Sequence, residues 1–283
     1  MNRLINEKCH DGSIDYYKIT ENIWQIEDEN GVYCTLVIGE DKAILWDTGF
    51  GNRGIKPFID RHIYTDLMVI NSHGHIDHIG GNNAFEYVYA AETEMDLIFN
   101  SWNKLKTMPA EFLMRDLPLD SYIDLGGEKA RVVDLKGHTS GSIGLLLSHS
   151  KVLLAGDAFN QRLWLFNEGA MNISYFKETA KRVLGLDFEY FIGGHHNGVY
   201  TKADIEALLK AADNISLDAS VEKEMLGQKV FCYEAGDQLG KSILYDDRLI
   251  GDLDRIEISD KGEQKGSKKE AKKGILRKIF GKV

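Results

Sequence analysis

The sequence predicts an α+β fold in which many short strands alternate with a few helices. Short apolar runs bounded by Gly, Asn and Asp recur along the chain, which is typical of buried strands. Longer segments with apolar residues at helical spacing lie between some of these runs. The 283 residues, 43% of them hydrophobic, are enough for one domain with a sizeable core. We expect this globular domain to span residues 1–260.

The N-terminal half begins with a polar lead-in, residues 1–15, and then becomes strand-rich. Apolar runs separated by turn residues predict five strands in this half. These are residues 16–20, 23–27, 32–38, 43–46 and 67–70. Helical spacing of apolar residues predicts helices over 55–63 and 92–99. The segment 101–120 holds Pro109 and Pro118 and breaks the pattern. We expect residues 102–114 within it to form a lid.

The C-terminal half repeats the alternation of strands and helices. Strands are predicted at 121–125, 131–135, 143–147, 151–155, 190–192, 229–233 and 242–245. Apolar residues at helical spacing predict a helix over 173–184. Thr201 followed by Asp204 resembles a capped helix start, and this helix is expected to run to about residue 219.

Residue types that can bind a metal ion are concentrated in the loop that follows the strand 67–70. Four potential metal ligands lie within six residues there, which is hard to explain as packing: His73, His75, Asp77 and His78. A loop at a strand end is held by a rigid sheet, so its side chains can be aimed at one point. Imidazole suits zinc, iron and manganese, and a carboxylate can bridge two such ions.

Four more strands each deliver an Asp or a His just past their ends. These residues are Asp47, His138, Asp157 and His195. A glycine or another small residue precedes most of them, as expected where the backbone turns tightly. Strand ends gathered along one edge of folded sheets would bring all these side chains into one cleft.

The order and local sequence of these motifs resemble those of the metallo-β-lactamase superfamily over about residues 16–200. The matching pieces are Asp47-Thr48-Gly49, the run His73–His78, Gly137-His138-Thr139, Gly156-Asp157 and Gly194-His195. The stretches 78–82 and 138–142 are similar to the glyoxalase II and lactonase branches. The resemblance implies a four-layer αββα sandwich, with two packed mixed β-sheets flanked by helices.

The resemblance also implies a pair of divalent ions, zinc as the first choice and iron or manganese as alternatives. It implies one site of His73, His75 and His138, a second of Asp77, His78 and His195, and a bridging Asp157. Asp47 is then expected to hold the metal-binding loop through hydrogen bonds, because ligating histidines need their second ring nitrogen oriented. His196 competes with His195, but the family pattern places a glycine before the ligand, which favours His195. His196 is then expected beside the ligands or near the substrate.

Two such ions predict a hydrolase. A shared water loses its proton, because metal coordination lowers its pKa to about 7, and the resulting metal-bound hydroxide attacks a carbonyl. We expect Asp157 to act through the metals and Asp77 to relay a proton. The expected substrate is a small thioester, ester, lactone or lactam. Its binding residues are predicted among Trp102, Asn160, Arg162, Trp164 and Tyr200.

Two other classes of function stay open. A persulfide dioxygenase resembles this site but holds one iron, here with His73, His138 and Asp157. A non-catalytic scaffold that kept the fold is opposed by the complete set of ligands. No named activity transfers cleanly, since the lactonase branch has a tyrosine where this chain has Asn160. A flavodiiron enzyme is disfavoured, because that branch has Glu where this chain has His75.

Charge separates the catalytic body from the C-terminal end. From Lys261 onward nine Lys or Arg stand against two Glu, which leaves a formal −17 on the rest of a chain whose net charge is −10. So acidic a body makes nucleic acid an unlikely partner. Residues 261–283 are predicted as a basic, low-complexity tail. Its segment 272–283 has a short amphipathic pattern that would fit docking on the acidic body, or peripheral contact with a membrane or a protein.

Compartment and assembly are less constrained. No apolar run is long enough to span a bilayer, and the N-terminus has no apolar signal-peptide region. The three cysteines, Cys9, Cys34 and Cys232, form neither a metal spacing nor a disulfide framework. These features favour a reducing cytoplasm. They leave the oligomeric state open.

Overall fold

Two large β-sheets lie face to face at the centre of the molecule, with helices on their outer faces. The structure is a computed structural model, and it describes residues 4–12, 14–105, 108–236 and 238–250. Its strands are β1 (Glu7–Asp11), β2 (Ile14–Lys18), β3 (Ile23–Glu27), β4 (Tyr33–Ile38), β5 (Lys42–Trp46), β6 (Asp66–Ile70), β7 (Tyr87–Ala90), β8 (Leu113–Asp116), β9 (Tyr122–Asp124), β10 (Lys129–Asp134), β11 (Ile143–Leu147), β12 (Val152–Gly156), β13 (Arg162–Leu165), β14 (Tyr190–Gly193), β15 (Val221–Met225), β16 (Gln228–Glu234) and β17 (Ser242–Tyr245). Its α-helices are α1 (Ile55–His62), α2 (Ile76–Ile79), α3 (Met95–Leu105), α4 (Ile173–Leu184) and α5 (Lys202–Asp213).

The first sheet contains β1 to β8 in chain order. Strands β1 to β5 are antiparallel, whereas β5 to β8 run parallel. Trp46 at the end of β5 pairs with Ile70 at the end of β6. The residues that follow, Asp47 and the loop with His73, therefore leave the sheet side by side.

The second sheet has the strand order β14-β12-β11-β10-β9. Strands β12 and β14 are parallel, and Gly156 pairs with Gly193 at their ends. This pairing places Asp157 and His195 at the same edge. His138 lies in the connection between the antiparallel strands β10 and β11, so it leaves from the end of β10.

Three apolar clusters define the layers. The inner faces of the two sheets share one core, with Trp46 from the first sheet packed among Val132 and Leu145 of the second. Helices α1 and α3 cover the outer face of the first sheet, and α4 and α5 cover the outer face of the second. Burying both faces of each sheet in this way excludes water from the strand backbones. The predicted αββα sandwich is confirmed.

A third sheet, β13-β17-β16-β15, adds to the predicted architecture. Strand β13 pairs in parallel with β17, and β15 and β16 form an antiparallel hairpin. The strands predicted at 229–233 and 242–245 belong to this sheet. Residues 162–165 and 221–225, for which no strand is predicted, complete it.

Three sequence predictions differ from the observed elements. Residues 7–11 form a strand that pairs with β2 and are not a loose lead-in. Residues 113–116, which overlap the end of the expected lid, form the edge strand β8. The helix after Thr201 has the predicted capping box but ends at Asp213, and a short 3-10 turn follows at Leu217–Ala219.

None of the helices in the described part of the chain is long and apolar enough to cross a membrane. The predicted boundary at residue 260 and the predicted tail, with its segment 272–283, lie outside the described residues.

Candidate metal centre

Three histidine rings converge at the first group of ligands. His75 Nδ1 lies 3.0 Å from His73 Nε2 and 2.9 Å from His138 Nε2. His73 and His138 are buried, and the ring centroids of all three histidines are 4.7 Å apart. Three facing ring nitrogens form the kind of donor set that binds zinc and related ions.

The second group lies next to the first. His195 Nε2 is 3.4 Å from His78 Nε2 and 3.4 Å from a carboxylate oxygen of Asp77. His78 Nε2 is 3.6 Å from the same oxygen of Asp77. One ligand atom from each of these residues lies within 4.8 Å of the other two, and the same holds for the three histidines of the first group.

Asp157 lies between the two groups. Its Oδ2 is 3.7 Å from His138 Nε2 and 3.0 Å from His195 Nε2, and its Oδ1 is 3.5 Å from His78 Nε2. Asn160 donates from Nδ2 to Oδ1 at 3.0 Å. This is the position in which one carboxylate can serve two ions.

Hydrogen bonds on the far side of the rings orient His75 and His138. His75 Nε2 donates to the carbonyl of Glu168 at 2.9 Å, and His138 Nδ1 donates to the carbonyl of Trp164 at 2.7 Å. A backbone carbonyl only accepts, so each bond places the proton on that nitrogen and leaves the other one unprotonated. Both remaining lone pairs therefore face the same point.

Asp47 orients one ligand of each group. Its carboxylate accepts from the backbone N–H and the hydroxyl of Ser72, both at 2.7 Å, and from His78 Nδ1 at 2.9 Å. The Ser72 hydroxyl in turn accepts from His73 Nδ1 at 2.9 Å. Asp47 has φ +64°, a left-handed conformation that Asp tolerates better than most residues. The structure thus places Asp47 in the supporting position that the family resemblance implies.

The two groups differ electrostatically. Burial lowers the pKa of His73, His75 and His138, the last to about 4, so these rings are neutral at physiological pH. Burial also opposes charge on His78 and His195, but the nearby carboxylates, Asp157 foremost, together outweigh it and raise their pKa, that of His195 to about 9. The first group is therefore ready to bind a cation, whereas the second must first release protons.

The two carboxylates of the cluster, Asp77 and Asp157, are ionised. Burial raises the pKa of Asp77 and Asp157, but the nearby His78 and His195 lower it by more. The pKa of Asp77 falls to about 2, and that of Asp157 lies well below its usual range. A donor set of five imidazole nitrogens around two anionic carboxylates fits a pair of divalent cations.

Glu94 is a supporting residue that the sequence analysis missed. Its side chain is buried, and its two oxygens accept from the backbone N–H groups of Gly74 and Gly141, both at 2.8 Å. Gly74 lies between His73 and His75, and Gly141 follows His138. One carboxylate therefore ties the two loops that supply the first group of ligands.

A cleft of about 740 Å³ opens above the ligands. It is lined by Asn30, Val32, Phe50, His75, Ile76, Asp77, Ser101, Asp157, Asn160, Gln161, Arg162, Trp164, Asn167, Glu168, His195, Leu226, Gln228, Gly240 and Ser242. Three residues predicted to bind the substrate, Asn160, Arg162 and Trp164, are among them. The cleft is large enough for a small organic substrate.

Three predicted residues lie elsewhere. Contrary to expectation, Trp102 does not reach the cleft: it is buried, donates from Nε1 to the carbonyl of Met108 and packs edge-on against Phe112. Trp102, Phe112 and Met114 therefore belong to the core, and the described residues of the segment 102–114 do not form the expected lid. Tyr200 stacks on Phe191 with ring centroids 5.1 Å apart and does not line the cleft.

His196 is also displaced from its expected role. Its ring lies against Tyr200, at 5.1 Å between centroids, and its carbonyl accepts from Gln25. His195, its neighbour, turns the other way into the ligand cluster.

Comparison with known proteins gives matches over most of the described chain. A family model described as the metallo-beta-lactamase superfamily matches residues 28–212. The human protein named acyl-coenzyme A thioesterase MBLAC2 is 22% identical over 232 residues, covering 69% of this chain and 82% of that protein.

Two further relatives add to this result. Metallo-beta-lactamase domain-containing protein 1 of Xenopus laevis is 32% identical over 113 residues, which are 39% of this chain and 42% of that protein. The solved structure of a metallo-beta-lactamase from Pontibacter korlensis superposes with a TM-score of 0.56 at 16% identity, covering 72% of this chain and all of that one.

Proposed function

This chain belongs to the metallo-β-lactamase superfamily, and we propose that it is a metal-dependent hydrolase of a carbonyl-containing small molecule, with a thioester as the first candidate. The thioester is placed before esters, lactones and lactams because the human relative and its Bos taurus counterpart are named as acyl-coenzyme A thioesterases. The superfamily match and these distant relatives support a metallo-hydrolase, and the thioester itself is our inference.

One observation carries the proposal: Asp157 lies between two ligand groups at the floor of an open cleft. We propose that His73, His75 and His138 hold one divalent ion and that Asp77, His78 and His195 hold a second, with Asp157 between them. When bound, such ions make water nucleophilic near neutral pH and polarise a carbonyl oxygen. Zinc suits this mixture of imidazole and carboxylate donors.

The surrounding residues then have defined tasks. Asp77 is ionised, lines the cleft and is 22% exposed, so its carboxylate can accept a proton from a water molecule in the cleft. Asn160 holds one oxygen of Asp157 through its amide. Val32, Phe50 and Trp164 give the cleft apolar surface for the organic part of a substrate. No serine or cysteine nucleophile is required.

Purified, zinc-loaded protein should be assayed against matched thioester, ester, lactone and lactam substrates. We expect thioester turnover that a chelator abolishes and added zinc restores. His75→Ala and Asp157→Ala should each reduce kcat/KM by at least about 100-fold, since each removes a proposed ligand. His149→Ala is the control, because that histidine is 71% exposed and lies outside the cleft.

Three outcomes would contradict the proposal. Turnover that survives both alanine substitutions would exclude the ligand cluster as the catalytic centre. About one iron per chain together with oxygen consumption would instead indicate the dioxygenase chemistry of related enzymes. Absence of turnover in the presence of tightly bound zinc, across the whole substrate series, would favour a non-catalytic scaffold.

A further inference from the structure

The third sheet forms one wall of the cleft. Strand β13 supplies Arg162 and Trp164 to this wall, and Ser242 at the start of β17 adjoins them. Leu163 and Leu165 alternate with these residues and are fully buried on the opposite face. Strand β13 lies within residues 28–212, which the family model matches, and strands β15 to β17 lie beyond them.

The wall is coupled directly to the metal centre. The carbonyl of Trp164 accepts the hydrogen bond that orients His138, at 2.7 Å. Arg162 lies two residues earlier on the same face of β13 and is held by a bond from its Nε to the Ser242 hydroxyl at 3.3 Å. A substrate whose carbonyl lies at the ligand cluster therefore extends past Trp164 towards Arg162.

Arg162 is the one Lys or Arg among the described residues that line the cleft. It makes no ion pair within the described part of the chain, although the formal charge of the protein is −10. Nearby carboxylates are paired with other groups: Glu168 with Lys104 at 2.6 Å, and Asp157 with His195 at 3.0 Å. The guanidinium is thus anchored through one nitrogen and has its remaining donors available to a ligand.

We propose that Arg162 recognises an oxyanion on the substrate, a carboxylate or a phosphate at the end remote from the scissile carbonyl. This inference rests on the proposed hydrolase function and adds the substrate class. A guanidinium presents a planar fork of N–H donors that matches both groups in a bidentate manner, which an ammonium does not. In a cleft that also contains Asp77, Asp157 and Glu168, an anionic substrate would otherwise be repelled.

The test uses thioesters that share one reacting group and differ only at the far end, which carries a methyl, a carboxylate or a phosphate. Arg162→Gln should raise KM about tenfold for the anionic substrate that the protein prefers and less than about twofold for the methyl substrate. Arg162→Lys keeps the charge but loses the planar fork of donors. Its KM for the preferred anionic substrate should therefore lie between that of the unchanged protein and that of Arg162→Gln. Arg131→Gln is the matched control, because Arg131 pairs with Asp120 outside the cleft.

The substrates with a carboxylate and with a phosphate distinguish the two oxyanions. The one whose KM rises more in Arg162→Gln carries the group that Arg162 binds. An equal change for methyl and anionic substrates, or no change for any of them, would overturn the proposal. So would an equal effect of Arg131→Gln, because that would indicate only the overall charge of the protein.

A second readout does not depend on turnover. Succinate and inorganic phosphate should be titrated calorimetrically into zinc-loaded protein and its Arg162→Gln variant. We expect the variant to bind at least one of them about fivefold or more weakly. If no thioester is hydrolysed but Arg162→Gln still binds the anion more weakly, the proposed reaction is wrong and the proposed anion site is supported. If the methyl thioester is hydrolysed and both proteins bind both anions equally, the anion site fails and the hydrolase stands.

Discussion

At the residue scale, the ligand histidines depend on acceptors from distant parts of the chain. His75 is oriented by the carbonyl of Glu168, and His138 by that of Trp164. Asp47 does the same for His78 directly and for His73 through Ser72. Such contacts fix which nitrogen faces the metal, and their loss typically weakens metal binding.

The clustering of the proposed ligands was predictable from the sequence, because their spacing and their place after apolar runs are local signals. Glu94 was not predictable. A glutamate at the beginning of a helix is common and normally exposed, and nothing nearby in the sequence shows that its carboxylate accepts from Gly74 and Gly141. Trp102 was predicted to bind the substrate but is buried in the core. The sequence around an aromatic residue in an irregular segment does not show whether its side chain packs inward or lines a cleft.

Glu94→Gln should test this support. The glutamine amide can satisfy only one of the two backbone N–H groups, and an unsatisfied buried donor costs about 1–3 kcal/mol of stability. We expect a lower free energy of unfolding in urea and weaker zinc binding. Glu92→Gln is the control, because this variant carries the same substitution on an exposed side chain two residues earlier. Equal stability and zinc affinity in both variants would show that Glu94 does not hold the two loops.

At the element scale, parallel pairing brings the ligands together. The ends of β5 and β6 are in register, and so are the ends of β12 and β14. Most strands of the two large sheets were predicted to within a few residues, because buried strands have apolar runs bounded by turn residues. Strands β1, β7, β8, β13 and β15 were missed. Edge and partly exposed strands such as β1 and β15 have no apolar run, and pairing with the next strand of a hairpin makes them strands.

Close packing between the metal-binding loop and helix α3 gives an element-scale prediction. A Cβ added at Gly74 would lie 2.8 Å from the backbone nitrogen of Ile98 in α3, which cannot move aside easily. Gly74→Ala should therefore destabilise the fold by about 1–3 kcal/mol and displace His73 and His75. Thermal unfolding and zinc affinity would measure both effects.

Gly185→Ala, at the end of helix α4, serves as the control. Its added Cβ would meet one atom, the Arg182 carbonyl oxygen, at 3.3 Å, and its φ is ordinary. A Gly74→Ala variant as stable and as well loaded with zinc as Gly185→Ala would mean that the loop and the helix can separate without consequence for the site.

At the scale of the whole molecule, the two-sheet sandwich followed from the order of the motifs, whereas the third sheet did not. The motifs occupy strand ends of the common fold. Strands β15 to β17 carry none of them, so the sequence showed that strands are present but not that they form a cleft wall. The predicted division at residue 260 stays a prediction.

Removal of residues 261–283 tests that division. The cleft-lining residues in the described part of the chain all lie between Asn30 and Ser242, so we expect the shortened protein to hydrolyse a small soluble thioester with kcat/KM within about twofold of the full chain. A loss of activity much larger than this, with the zinc content unchanged, would assign the basic tail to the site. A loss of zinc or of cooperative unfolding would assign it to the fold.

The central claim is that residues from separate strand ends hold two cations around Asp157. Anomalous diffraction from crystals of the zinc-loaded protein tests it most directly. We expect two peaks, one among His73, His75 and His138 and the other among Asp77, His78 and His195. Zinc found elsewhere, or no peak at these residues, would contradict the claim, and a single peak would contradict its two-ion form.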